Sequence, residues 1–314
     1  MAEELPAAAA ARMAQIRASG TWGSALTSDE FAAIRSVGFD PVGQVFGAAV
    51  YSVGHDGYRC PATWRPPAEA KQAELKQAAL TQATQVSGPG DPGSFGPLVR
   101  AMGQARETAM DRLVAECRQL GGHGVVGVRL SRGSLPLGGL DFTAIGTAVR
   151  APGTAHEPGA PFTCDLSGQD FAKLIAQGWV PAGLVLGISI GSRHDDRNTA
   201  RQTRVWSGNA EVAGWTELVS ESRQDARGQL EGDVRRFGAE GVVIATMQMR
   251  VRERDCPVHV GRRDHIVEST VIGTAIARFS AGGPRHAQPA LAVMSLDPQR
   301  RQAARIRILG PLSA

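Results

Sequence analysis

Apolar residues along this chain follow two periods, and each period predicts its own kind of element. Ala105, Ala109, Leu113, Cys117 and Leu120 recur at helical steps and draw one stripe. Ala226, Leu230, Val234 and Phe237 draw the same stripe later in the chain. Val- and Ile-rich runs at 43–53, 125–130, 142–149, 183–190, 242–251 and 266–277 predict strands. A short helix opens at Thr27 with Glu30, the reciprocal capping pattern, and stops at Gly38. Ser167 with Asp170 and a stop at Gly178 predict its counterpart. The order helix, strand, helix, strand, strand therefore appears twice, which is an α+β plan.

The second run of elements repeats the first in sequence. Leu26-Thr27-Ser28-Asp29-Glu30-Phe31 returns as Leu166-Ser167-Gly168-Gln169-Asp170-Phe171 (171 − 31 = 140). Gly38, Pro41, Gly43 and Gly47 return at the same shift as Gly178, Pro181, Gly183 and Gly187. The long helices repeat at another shift (226 − 109 = 117), and Ile145-Gly146-Thr147-Ala148-Val149 closes the first copy as Ile272-Gly273-Thr274-Ala275-Ile276 closes the second. A repeat of this length reads as a domain folded once per copy. The expected organisation is a leader helix or frayed end over 1–20, a first domain over 21–150 with an insertion at about 61–100, a Pro- and Gly-rich linker at 151–161, a second domain over 162–280 and a tail over 281–314. Within the insertion, 67–83 reads as helical. The paired glycines, Gly43 with Gly47 and Gly183 with Gly187, lie on one face of their strands and predict close approach by another element.

Composition narrows the function classes. The 314 residues are 42% hydrophobic and 20% charged, as in a soluble globular protein. No apolar run is long enough to span a membrane, and the alanines at 7–11 lack a signal peptide's flanks, so a cytoplasmic protein is expected. The net charge of +4 is spread thinly, which argues against nucleic acid, and Arg300, Arg301, Arg305 and Arg307 read as a solvated tail. Cys60, Cys117, Cys164 and Cys256 show no C-x-x-C spacing and are expected as free thiols.

Candidate chemistry centres on metal donors. His55-Asp56 follows the first strand, and His194-Asp195 follows its repeat (194 − 55 = 139). Imidazole beside carboxylate suits a divalent cation, so His55, Asp56, His194 and Asp195 are the candidate metal ligands; their alternative is ordinary strand-end polarity. Cys60 could add a soft donor to the first pair, or be an isolated, half-exposed thiol. Cys256, His259 and His265 form a second cluster, three donors where a structural zinc takes four. Cys117 falls on the apolar stripe and Cys164 aligns with Ser24, so both read as structural. The glycines around His123 run from helix into strand, opposite to a phosphate-cradling loop. No nucleophile elbow, zinc-protease motif or P-loop occurs, and Trp22, Trp179, Trp206 and Trp215 read as packing anchors. A non-enzymatic protein is expected.

The run 42–47 (Val-Gly-Gln-Val-Phe-Gly), Ala105-Arg106, Leu120-Gly121, Val125-Val126-Gly127-Val128 and Gly146-Thr147-Ala148-Val149 resemble the YbjQ-like heavy-metal-binding domain family. Gly183, Val185, Gly187, Gly238, Ala239, Gly241, Val242, Val243 and Gly273-Thr274-Ala275 resemble it a second time. The resemblance implies two tandem dodecin-like domains, each a small, mostly antiparallel sheet covered by a short and a long helix. It also implies assembly into rings of five, a homopentamer, with a divalent or soft metal ion as cofactor. Because five is odd, two-domain chains would close most simply as five chains with two stacked rings, one from each copy. The competing expectation is a metal-free scaffold that recruits partners through its insertion and tail.

Overall fold

The computed structural model describes residues 5–21, 23–53, 56, 58, 60, 84–87, 95–135, 139–151, 160–204, 206 and 208–278. It is a mixed α+β structure with two four-stranded sheets and six helices among these residues. In chain order the elements are α1 (Ala7–Ser19), α2 (Ser28–Ser36), β1 (Asp40–Ser52), β2 (Thr84–Ser87), α3 (Gly96–Gln119), β3 (Gly124–Leu135) and β4 (Gly139–Arg150). There follow β5 (Phe162–Thr163), α4 (Gly168–Ala176), β6 (Trp179–His194), α5 (Arg197–Gln202), α6 (Ala213–Arg236), β7 (Gly241–Asp255) and β8 (Arg263–Arg278). His55, Trp22, the 67–83 segment and the 281–314 tail lie outside the described residues.

Local chemistry sets the helix starts. At α2 the Thr27 hydroxyl accepts from the Glu30 N–H while the Glu30 carboxylate accepts from the Thr27 N–H at 2.8 Å. At α4 the Ser167 hydroxyl accepts from the Asp170 N–H at 3.1 Å, but Asp170, one methylene shorter, takes the Ser167 hydroxyl instead of its amide. Helix α3 begins at Gly96, nine residues before the apolar stripe does (105 − 96 = 9), so the end of the expected insertion, 96–100, already belongs to the helix. Pro97 is tolerated there because first-turn N–H groups have no intrahelical acceptor, and Phe95 takes the left-handed conformation that turns the chain into the helix.

The sheet orders are β1-β4-β3-β5 and β2-β6-β8-β7. In both sheets the strand after the short helix pairs antiparallel with the last strand of the closing hairpin. Both ladders shift register at matching places, after Pro41 and after Pro181, and again at 126/129 and 244/246. Two strands cross over between the halves. β5 precedes α4 yet pairs parallel with β3 of the first half, and β2 precedes α3 yet pairs antiparallel with β6 of the second.

The paired glycines do what their spacing implied at their second members. A Cβ on Gly47 would lie 1.8 Å from the Ala109 carbonyl oxygen, and one on Gly187 would lie 1.8 Å from that of Ala226. Each long helix thus rests its backbone directly on its strand. Cores form on these contacts: Val45, Leu113, Cys117 and Val125 in the first half, Val185, Ala226, Leu230 and Val271 in the second. A third core joins the halves, placing Leu186, Ile188 and Ile190 of β6 against Phe95, Met102 and Phe142. Trp206 corrects the tryptophan expectation, since it is 96% exposed and anchors nothing.

Candidate metal centre

The donors gather where three chain segments end. β6 terminates at His194, which lies in register opposite Asp264 on β8. β7 terminates at Asp255, and the next residue, Cys256, opens the turn to β8 that carries His259. That turn is closed by two backbone bonds, Cys256 N–H to the Arg262 carbonyl and Arg262 N–H to the His259 carbonyl. The His259 N–H also donates to the Cys256 Sγ at 3.3 Å, which holds the sulfur against the turn's own backbone. Cys60 arrives from the segment after β1, in the other half of the chain.

Cys60, His194, Cys256 and His259 bring one donor atom each to within 4.8 Å of one another. The two sulfurs are 3.2 Å apart, Cys60 Sγ is 3.6 Å from His194 Nδ1, and Cys256 Sγ is 3.6 Å from His259 Nδ1. Tetrahedral zinc with ordinary Zn–S and Zn–N bonds demands sulfur–nitrogen edges of about 3.5 Å and sulfur–sulfur edges of about 3.8 Å. The Cys256–His259 edge fits as it stands, and the two sulfurs need a small separation. Both thiols are buried, whereas His259 is exposed, so one side of the cluster opens to solvent.

Asp264 backs this cluster from a fully buried position. Its Oδ1 lies 2.6 Å from His194 Nδ1 and 3.9 Å from Cys60 Sγ. Donation of Nδ1–H to this carboxylate would fix the ring and leave Nε2 to bind an ion, a common outer-shell arrangement. Tyr58 donates its hydroxyl to the other carboxylate oxygen, and burial, then Asp264, push the phenol well above its usual pKa. Phe95 and the Arg254 guanidinium, 4.3 Å from the ring centre, hold Tyr58 in place. Cys117 and Cys164 are different thiols: burial pushes each up to about 12, which keeps them protonated and inert.

Of the sequence-derived ligands that are described, His194 enters the cluster and Asp56 and Asp195 do not. Asp56 instead accepts from the Tyr58 N–H at 2.9 Å and pairs with Arg254 at 3.6 Å. Asp195 faces His265 Nε2 at 3.1 Å and the Trp215 indole N–H at 3.5 Å, so it leaves with His265 instead of joining His194. His55 is not among the described residues. Cys60 is 2% exposed, against the half-exposed thiol expected. The fold merges what the sequence offers as two clusters, the Cys60 side and the Cys256/His259 side, and supplies the fourth donor. Asp264 had no signal in the sequence.

Residues 82–152 match the family described as "Putative heavy-metal-binding", the YbjQ family. None of the four donors lies inside that stretch. Over 266 residues the chain is 32% identical to the encapsulin nanocompartment protein Rv1762c of Mycobacterium tuberculosis (strain ATCC 25618 / H37Rv), covering 82% of this chain and 87% of that protein. The chain belongs to that protein's family. The match to the nanocompartment-protein family is too long to fit within one half of the chain, so it spans both halves, whereas the YbjQ match covers only β2 to β4.

Proposed function

We propose that this chain is a non-enzymatic, self-associating protein of the cytoplasm that binds one zinc-class ion per chain through Cys60, His194, Cys256 and His259. The carrying observation is the four-donor cluster, whose donor atoms all lie within 4.8 Å of one another. Two thiolates with two imidazoles suit Zn²⁺ and its soft relatives over hard cations such as Mg²⁺ or Ca²⁺. The heavy-metal description of the YbjQ family supports the same choice, and the relative's name supports service in an encapsulin nanocompartment. Repeated strand order, matching register shifts and the paired glycine contacts support two tandem YbjQ-like domains. The YbjQ resemblance supports a closed ring of five chains.

The chain's residues would hold the ion by tying Cys60 of the first half to a strand end and a turn of the second. Such an ion is a structural clasp with one exposed ligand, His259, through which it could exchange. The test is metal content by elemental analysis together with native mass spectrometry, on protein purified without a histidine tag. Stripped protein offered Zn²⁺ should take up one equivalent, and its Co²⁺ form should show the thiolate charge-transfer band that two sulfur ligands produce. Uptake below a tenth of an equivalent, or a Co²⁺ spectrum without sulfur ligation, refutes the metal assignment.

A further inference from the structure

We infer that the chain associates head to tail with further copies of itself, each junction between chains repeating the junction that already joins the two halves within one chain. The inference deepens the self-association part of the proposed function and does not depend on the metal.

Two components of the internal junction bear on this, beside the packing of α2 on α4 and the pairing of β2 with β6. The first is backbone pairing along the outer edge of β3: Cys164 N–H donates to the Val125 carbonyl, Val128 N–H to the Cys164 carbonyl, and Gly127 N–H to the Leu166 carbonyl. The second is side-chain packing, in which the outer face of β6 covers the open front of the first half. Leu186 (7% exposed) and Ile190 (0%) are buried there, and Arg132 reaches Glu268 at 2.6 Å.

The internal repeat assigns a counterpart to every partner in this junction. By the 140 shift, Cys164 and Leu166 correspond to Ser24 and Leu26, and Leu186 and Ile190 to Phe46 and Val50. By the 117 shift, Val125, Gly127 and Val128 correspond to Val242, Ile244 and Ala245, and Leu130 and Arg132 to Met247 and Met249. The local anchoring is the same too. Ala25 N–H donates to Thr147 Oγ1 at 3.2 Å, as Asp165 N–H does to Thr274 Oγ1 at 3.1 Å.

These counterparts are open at the two ends of the chain. β7 is the last strand of its sheet, with no strand beyond it among the described residues. Met247 and Met249 are 42% and 46% exposed on β7, and Phe46 and Val50 are 41% and 62% exposed on β1. Four large apolar side chains thus stand in water where their repeat partners are engaged. Helix α1 meets this region through the Arg12 to Glu116 pair and lines one cavity with Phe46, Gly47 and Ala48, beside which Phe46 keeps its 41% exposure.

The two open surfaces are complementary to each other and not to themselves, so the contact is heterologous and can propagate or close into a ring. The occupant of the β7 edge is therefore the 23–26 segment and β1 face of a second copy, adding a strand as β5 does internally. In this arrangement the two halves alternate around one ring instead of stacking as two.

Complementation tests the geometry. Val50→Glu and Met249→Glu each spoil one of the two surfaces at an exposed position, and circular dichroism melts should match those of monomeric protein. Native mass spectrometry should show wild type as an oligomer, each variant as a monomer, and an equimolar mixture as a dimer only, through the one intact pair of surfaces. Wild type that is monomeric overturns both this inference and the self-association it rests on. An oligomeric wild type whose oligomer survives either substitution, or whose two variants fail to dimerise when mixed, overturns the surface assignment alone.

Discussion

Gly187→Ala gives the sharpest test of how the long helices are seated. The added methyl would stand 1.8 Å from the Ala226 carbonyl oxygen and 2.7 Å from its carbon, where real contacts do not fall below 3.0 Å. Backbone on both sides means no side chain can swing away, so α6 must withdraw by more than an ångström (3.0 − 1.8 = 1.2 Å). That withdrawal loosens Ala226 and Leu230 from Val185 and Val271. It also stretches the bond from the Ile188 N–H to Gln229 Oε1, already 3.2 Å. Overpacking of this kind costs about 1–3 kcal/mol, and a backbone clash belongs at the upper end. Gly228 and Gly232 lie on the same helix with nothing within 4 Å of an added Cβ. Gly228→Ala should therefore stabilise, by about 0.5–1 kcal/mol, through the entropy glycine loses on entering a helix. Urea unfolding followed by circular dichroism reads both changes. Gly47→Ala should behave like Gly187→Ala, because its clash is with Ala109 at the same distance. A Gly187→Ala midpoint within error of wild type would refute the helix seating, whatever Gly228→Ala does.

Other consequences follow from the metal centre and from one buried acid. Cys256→Ser should abolish stoichiometric zinc uptake, measured by elemental analysis, while Cys117→Ser should leave it unchanged, because Cys117 is buried on the α3 stripe away from the donors. Asp264→Asn should keep the stoichiometry at saturating metal but weaken zinc affinity about 10–100-fold, the usual effect of losing an outer-shell carboxylate; competition with a chromophoric chelator measures it. Asp165 is held above the usual carboxylate range, by burial first, against the opposing Thr274 hydrogen bond. A carboxyl raised on folding favours the folded state at pH below its unfolded value and loses that contribution as pH rises through the folded one. Asp165→Asn keeps an acceptor for Thr274, so it should raise stability relative to wild type at pH 7 and not at pH 4, as read by paired urea titrations. Equal effects at both pH values would contradict the assignment.

Much of the fold was legible because it rests on local rules. The caps at Thr27 and Ser167, the stripes of α3 and α6 and the glycine contacts at Gly47 and Gly187 follow from spacings of a few residues. The early start of α3 was not legible, since Gly96-Pro97 reads as a breaker until Phe95 is seen to turn the chain into a first turn. The crossovers of β5 and β2 were also hidden. Neither two- nor four-residue segment carries enough pattern to reveal which sheet it joins. The site suffered for a related reason. Cys60 and Cys256 lie far apart in sequence, and only the packing of β6 and β8 against the first half brings their sulfurs together. Sequence adjacency also misled at His194-Asp195, because neighbouring residues at a strand end point to opposite sides: one toward Cys60, the other toward His265.

The centre therefore sits where the two halves differ, and that difference carries a functional argument. By the 140 shift Cys60 corresponds to Ala200, which is not a donor, and Cys256 lies beyond the part of β7 that matches β3, which ends at Arg252 (135 + 117 = 252). The second hairpin has seven residues between its strands, 256–262, where the bounds of β3 and β4 leave three, and His259 lies in the added length. A feature needed for the shared fold should recur in both halves, as Gly47 recurs in Gly187. Donors absent from one half are not required by that fold, so the four-residue cluster belongs to the joined chain. It follows that a protein restricted to 82–152, the stretch that matches the YbjQ family, would contain none of the ligands and bind no metal at this centre.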